Sequence, residues 1–371
     1  MIYLDSAATS LVKPPSVAKS MAMALKTMAS PGRGGYPPAQ RAAETVYACR
    51  ETAVRLFHAE DLSHVIFTQN ATHALNTAIF SLVKSGDPVL ISGFEHNAVT
   101  RPLHALGAEV HIAGRKLFDP SDTLEEFERA IPGKKAVVCT HVSNVFGYIL
   151  PIYEIAALCR QYAVPLIVDA SQSAGILDVD MRKLGAAYIA MPGHKSLFGP
   201  QGTGLLICNH ETKPLMYGGS GSDSKNPDMP KYLPERLEAG TANVCGIAGL
   251  KAGMDFVLRE GTGKISAYEK KLLSLTVREL RKIPGLTLYA SENGHRSGVL
   301  SFTAEGWDSE SFAARLARKG ICVRAGLHCA PTAHESAGTL QSGTVRMSFS
   351  PFVSESDIFH ASAVIKNTVR A

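Results

Sequence analysis

Residues 191–204, MPGHKSLFGPQGTG, carry an apolar run into His194 and Lys195 and then straight into glycines. A lysine at the end of a buried strand can act as a nucleophilic amine, because burial lowers its affinity for a proton. Other apolar runs also finish on reactive side chains: PLIVDA on Asp169, AVVCTHVS just before Asn144, DPVLIS just before His96. Each has a plain alternative. Asp169 either caps a turn or offers its carboxylate to a cationic ring nitrogen or a metal. No second carboxylate and no His–x–His spacing accompanies it, which weighs against a metal. His96 is either a structural histidine or one placed for ring stacking or proton transfer.

Ala71 and Thr72 open a helical pattern in QNATHALN, where free backbone N–H groups and a hydroxyl suit a phosphate. The GPQGTG loop is not a nucleotide P-loop, since its lysine precedes the glycines. Asn144 and Gln172 supply amides that could bond a phenolic oxygen. An amine, a carboxylate, a stacking ring and a phosphate site together meet the needs of pyridoxal 5′-phosphate.

These groups need a scaffold that brings strand ends together. Up to about residue 210, continuous apolar runs alternate with amphipathic helical patterns, which predicts a mainly parallel sheet covered on both faces. Ligands of such sheets bind at the carboxyl ends of the strands. A Gly/Ser/Pro-rich loop, GGSGSDSKNPDMPKYLPE, then leads to helices and a smaller α+β unit of short strands. The expected division is an N-terminal segment 1–14 packing with the small unit, a large domain 15–246 and a small domain 247–371.

Composition limits the function classes. A chain of 371 residues, 45% hydrophobic and 19% charged, is that of a globular enzyme or binding protein. Its net charge of +5 comes from scattered residues, so neither nucleic acid nor a membrane is an expected partner. MIYLDSAATS has no basic n-region of a secretory signal. The seven cysteines form no CxxC pair, which argues against a disulfide framework or structural zinc and for a reducing cytoplasm.

The ordered set YLDSAAT, FTQNATHALN, EHNA, HVSNVFGYILPI, VDASQSAG, GHKSLFGPQGTGLL, EAGTANVCGIAGL and RAGLHCAP resembles the class V aminotransferases of PLP fold type I. Within them it is most similar to the cysteine desulfurases. The resemblance implies a large domain with a mainly parallel seven-stranded sheet and a smaller α+β C-terminal domain. It implies Lys195 as the Schiff-base lysine, Asp169 as partner of the pyridinium, and His96 stacked on the ring. Asn144 and Gln172 would lie near the phenolic oxygen. Ala71, Thr72 and His194 would hold the phosphate, joined by Thr241 from a second subunit of a homodimer.

Arg346, with Arg324 and Asn144, would bind the substrate carboxylate. Cys329 would take sulfur from L-cysteine as a persulfide, leaving alanine, with positive charge from Arg324 or His328 assisting the thiolate. The sulfur would pass to an acceptor protein, as in iron–sulfur cluster assembly. Selenocysteine lyase, cysteine lyase, epimerase and transaminase activities are alternatives, as is a non-catalytic sulfur-handling or PLP-binding protein. The chain departs from the family pattern at Pro192, where serine is common, and at Ser30 and Gly32, where Asn and His are common. Arg33 is retained. No Tyr–Asn pair follows Arg346.

Overall fold

The computed structural model describes residues 1–370 except 33, 292 and 293, so the retained Arg33 lies outside the described residues. The strands in chain order are β1 (Ile2–Tyr3), β2 (Val65–Thr68), β3 (Pro88–Ser92), β4 (Glu109–Ala113) and β5 (Ala136–Thr140). They continue as β6 (Leu166–Asp169), β7 (Tyr188–Pro192), β8 (Gly204–Cys208) and β9 (Leu286–Tyr289). The last are β10 (Val299–Ala304), β11 (Ile321–Cys322), β12 (Arg324–Gly326) and β13 (Thr344–Ser348). The α-helices are α1 (Pro15–Thr27), α2 (Pro37–Phe57), α3 (Ala71–Leu82), α4 (Asn97–Leu106), α5 (Pro120–Ala130) and α6 (Ile152–Gln161). Then follow α7 (Met181–Leu184), α8 (Val244–Glu260), α9 (Thr262–Leu280), α10 (Ser309–Arg318), α11 (Pro331–Ser336) and α12 (Glu355–Val369).

Seven strands form one sheet in the order β2-β8-β7-β6-β5-β3-β4. Only β8 runs against its neighbours. The central strands are apolar throughout because both of their faces are covered. Val89, Ile91, Val138 and Ile167 pack with Leu75 and Ile79 of α3 and Val99 and Leu103 of α4. Their neighbours Leu90, Val137 and Val168 point the other way, toward Phe57 of α2, Phe127 of α5 and Ile155 of α6. This two-residue alternation leaves the strand ends as the place where polar groups escape the core.

β4 has no counterpart among the apolar runs. It is an edge strand whose first residues are exposed, so its sequence EVHIA has no need of a continuous apolar face.

A second sheet, β12-β13-β10-β9, is antiparallel and rests on α9, α10 and α12 through Leu272, Leu273, Phe302, Phe312, Met347 and Ile358. Helix α12 begins with a capping box in which Ser354 and Asp357 bond reciprocally. The N-terminus joins this unit. β1 pairs with β11, and Leu4 enters its core. Helix α8 packs instead on α1 and α2, and its Ile247, Leu250 and Met254 belong to the core of the large sheet. The core around the second sheet draws its first helix from α9. Among the described residues no helix is long and apolar enough to cross a membrane.

Candidate active site

A cavity of about 160 Å³ opens at the carboxyl edge of the seven-stranded sheet. It is lined by Lys195, Asp169, His96, Asn144, Gln172 and His194, and also by Ala71 and Thr72. Residues from five strand ends thus meet, because all but β8 point the same way. β8 contributes through its start. A side chain at Gly204 would come within 2.9 Å of the Asn70 backbone, so glycine there allows the loop into α3 to approach the cavity.

Asp169 closes β6 and is 3% exposed. Its Oδ1 accepts a hydrogen bond from the Ser171 N–H at 2.9 Å. Lys195 follows the adjacent β7, and its Nζ makes no hydrogen bond among the described residues. Burial pushes its pKa down to about 8, against the attraction of Asp169, with Arg346 and Arg324 pushing the same way as burial. A fraction of the amine is therefore neutral near pH 7, and that fraction grows as the pH rises through about 8.

His96 caps α4, and its Nδ1 accepts the Ala98 N–H at 3.0 Å. That bond fixes the tautomer: the proton of the neutral ring sits on Nε2. Burial, and then the charge of Lys195, lower its pKa to about 4. His194 is likewise held neutral, near 4, first by burial. Its Nδ1 lies 3.0 Å from Thr9 Oγ1, and its carbonyl accepts the Ser10 N–H. The N-terminal segment thereby fixes its ring.

Asn70 caps α3 by accepting the His73 N–H at 2.9 Å, and the N–H groups of Ala71 and Thr72 have no partner among the described residues. Gln172 donates from Nε2 to the Ala7 carbonyl at 2.9 Å. Asn144 donates to the His328 carbonyl at 2.8 Å.

Four expected site residues lie outside the cavity lining. Thr241 is exposed at the end of a stretch, 209–243, that contains no helix or strand. Three residues earlier, Glu238 ties that stretch down: it pairs with Arg50 at 2.6 Å and accepts the Phe67 N–H at 2.7 Å. Arg346 is 1% exposed and stands one layer back, donating to the Asn144 carbonyl at 2.8 Å and to Asp5 Oδ1 at 2.7 Å. Its Nε has no partner. Arg324 is exposed and lies opposite Arg346 across the β12–β13 ladder, so Asp5 also relieves a like-charge pair.

Cys329 is exposed on the turn before α11. Its carbonyl accepts the Asn97 N–H at 2.7 Å, which puts it against the loop bearing His96. His328 and Cys329 both have left-handed backbones, at φ 50° and 56°. Each costs about 1–2 kcal/mol. The bonds from Asn97 and Asn144 to their carbonyls each return about 1 kcal/mol. Thr332 adds a further clasp, donating to the Glu95 carbonyl at 3.0 Å. The turn is therefore held in a fixed position.

His328 does not charge as expected. It is buried, and burial drives its pKa down to about 2, with Arg346 and His334 adding to the shift. Of the two cations expected to assist a thiolate, His328 is thereby removed.

Asp5 and Glu95 are missed by the sequence reading. Glu95 is fully buried beneath His96. Its Oε1 accepts from Ser92 Oγ at 2.5 Å and from the Thr140 N–H at 2.8 Å, which joins the ends of β3 and β5. Burial pushes its pKa up to about 8, so it is mainly a neutral acid at pH 7. A glutamate beside a histidine reads as surface in a sequence, and its only signal is its place in EHNA.

The chain matches known proteins along nearly its whole length. The chain matches the family Aminotransferase class-V over residues 2–360. A relative from Methanothermobacter thermautotrophicus named "Probable cysteine desulfurase" is 31% identical, over 92% of this chain and 89% of its own. One of the same name from Pyrococcus abyssi is also 31% identical, over 100% of this chain and 95% of its own. The apo structure of a cysteine desulfurase from Thermococcus onnurineus NA1 superposes with a TM-score of 0.90 at 30% identity, covering 100% of this chain and 94% of that one. With the family matched over residues 2–360 and relatives 31% identical along nearly the whole chain, the chain belongs to the class V aminotransferase family.

Proposed function

We propose that this protein is a pyridoxal phosphate-dependent cysteine desulfurase that converts L-cysteine to L-alanine and takes the sulfur onto Cys329. The observation that carries this reading is the pairing of a cavity built around Lys195 and Asp169 with an exposed cysteine clasped to the His96 loop.

The residues present fit the cofactor. Lys195 has an amine that is neutral in part near pH 7 and makes no hydrogen bond among the described residues, so it could hold the cofactor covalently, and Asp169 has a carboxylate suited to a protonated ring nitrogen. The N–H groups of Ala71 and Thr72, without protein partners among the described residues, would hold its phosphate together with His194. Pro192 also lines the cavity and brings no hydroxyl, so the backbone N–H groups carry more of the phosphate binding. When bound, the group supplies an electron sink that makes the substrate Cα–H acidic. Lys195 then moves that proton. His96, neutral, would face the bound group and offer it its Nε2–H. Cys329 as thiolate attacks the substrate sulfur, forming the S–S bond as the substrate C–S bond breaks, and alanine leaves after protonation.

Thr241 completes the phosphate site from a second copy of the chain. Its exposure, together with the Glu238 anchor that fixes the stretch behind it, supports an outward-facing role. Exposed Cys329 and Leu327 suit collection of the sulfur by an acceptor protein.

Incubation of the purified protein with L-cysteine, L-selenocysteine and other amino acids, with alanine quantified, tests the assignment. Alanine from cysteine is the expected result. Alanine from selenocysteine alone makes the protein a selenocysteine lyase, and no alanine from either removes both readings.

Covalent uptake of pyridoxal phosphate by cofactor-free protein should follow the free amine of Lys195. Its rate is expected to rise up to a pH of about 8 and level off above it, because the protonated amine below that value is not a nucleophile. A rate independent of pH across that range would separate uptake from this lysine.

Arg346→Lys is expected to raise the KM for L-cysteine about ten- to a hundredfold, with a smaller change in kcat, since a lysine cannot make the paired contact to a carboxylate. The substrate must compete with Asp5 for this guanidinium. Steady-state kinetics beside a thermal melt of the same variant separates lost substrate binding from lost stability.

A further inference from the structure

The segment between β3 and α4 carries His96 to the cavity, and three bonds tie it to the turn of Cys329 and the helix α11 that follows. The Gly93 carbonyl accepts from Ser336 Oγ at 2.9 Å, and the Glu95 carbonyl accepts from Thr332 Oγ1 at 3.0 Å. The Asn97 N–H donates to the Cys329 carbonyl at 2.7 Å.

The same segment is secured to the sheet by one side chain. Glu95 Oε1 accepts from the Thr140 N–H at 2.8 Å and from Ser92 Oγ at 2.5 Å. Thr140 closes β5, stands opposite Asp169 in the β5–β6 ladder and lines the cavity. Among the described residues, Glu95 is the only residue of 93–97 whose side chain bonds to a neighbouring strand.

A carboxyl group is a costly choice for this place. It has no exposure, and its Oε2 has no partner among the described residues. An apolar side chain would be cheaper to bury, but it would leave the Thr140 N–H without that acceptor. The cost is understandable if the bond to β5 matters for the reaction.

We propose that Glu95 is a positioning residue: its side chain on Thr140 and its carbonyl on Thr332 together fix the His96 segment between the cofactor cavity and the Cys329 turn. Its protonation fits this task. Burial, with the charge of Asp169 in addition, pushes its pKa up to about 8 against the bonds from Ser92 and Thr140. A neutral acid keeps both bonds and adds no second negative charge near Asp169, whose own charge is needed for a ring nitrogen. Loss of the bond to β5 would let His96 shift relative to the cavity, and a misplacement of about 1 Å can cost on the order of a hundredfold in rate.

The inference rests on the desulfurase reading for its kinetic test, so a second measurement is independent of turnover. In the full-length, cofactor-loaded protein, Glu95→Ala should lower kcat for alanine formation from L-cysteine about ten- to a hundredfold. The KM should stay within about threefold, because the residues expected to bind cysteine are untouched. Glu95→Gln keeps a neutral group with an acceptor oxygen and should restore kcat to within about threefold of wild type. A Glu95→Ala protein that melts earlier but keeps its kcat would reduce Glu95 to a structural role and overturn the proposal. A Glu95→Gln protein as slow as Glu95→Ala would overturn it too, since the negative charge would then be what counts. The turnover-free measurement pairs the visible circular dichroism of the bound cofactor with the rate at which iodoacetamide alkylates Cys329. Both should change in Glu95→Ala and return in Glu95→Gln. If wild type forms no alanine, the desulfurase reading fails, and these two signals still decide the role of Glu95: no change in either overturns it. If Glu95→Ala does not fold, Thr332→Val removes the hydroxyl bonded to the Glu95 carbonyl while keeping the side-chain shape. Its alkylation rate should differ from wild type by at least about threefold, and an unchanged rate overturns the proposal.

Discussion

Lys195→Ala protein should fold, emerge from vitamin B6-rich medium without a borohydride-fixed cofactor, and turn over L-cysteine at least about a thousandfold more slowly. Two losses combine. The amine that would hold the cofactor is gone, and so is the base that moves the substrate α-proton. Both depend on the setting of Lys195, where burial keeps the amine near a pKa of about 8, so that it is partly neutral at working pH. Folding should survive, because the ammonium makes no hydrogen bond among the described residues and its removal leaves no buried partner stranded. The decisive measurement is the wild-type and variant rate of alanine formation, with mass analysis of the borohydride-reduced proteins. A variant within tenfold of wild type would end the assignment of Lys195, and with it the proposed function.

Cys329→Ser should lose sulfur transfer while keeping the cofactor site. A serine hydroxyl is not ionised near neutral pH, so the nucleophile disappears although the side chain keeps its shape. Alanine production from L-cysteine is expected to fall about a hundredfold or more. The visible spectrum of the bound cofactor and its shift on adding cysteine should persist, since Cys329 does not line the cavity. The substitution is also mild for the fold: the contact from the Asn97 N–H goes to the Cys329 carbonyl, which serine retains. Sulfide release at an unchanged rate would show that another group takes the sulfur. Arg324→Ala should give a weaker version of the same defect, because His328 is neutral and Arg324 is the other cation expected to favour the thiolate.

Much of the site is legible in the sequence for one reason. A strand buried on both faces must be apolar along its length, so the first polar residue marks its end, and in a parallel sheet those ends share one edge. Asp169, Lys195, Asn144 and His96 are all found in this way. The strand β4 is not, because an exposed edge imposes no such pattern on Glu109–Ala113. Nor is the engagement of Arg346, whose partner Asp5 is 341 residues away and belongs to a segment with no periodicity to read. The neutrality of His328 is hidden for a related reason: burial by Thr344 and its neighbours is a tertiary fact, and a histidine beside a cysteine looks like a cation in a linear text. The packing of α8 on α1 and α2 is equally silent in the sequence, since an amphipathic helix reads alike whichever unit it joins.

The first ten residues touch His194 through Thr9 and Ser10, Gln172 through Ala7, and Arg346 through Asp5. During synthesis the beginning of the chain is made long before Arg346, so the pocket is finished only when the two ends meet. A nascent or truncated chain ending before β13 carries the lysine but lacks the guanidinium that holds Asp5, so that closing contact between the two ends forms only once β13 has been made.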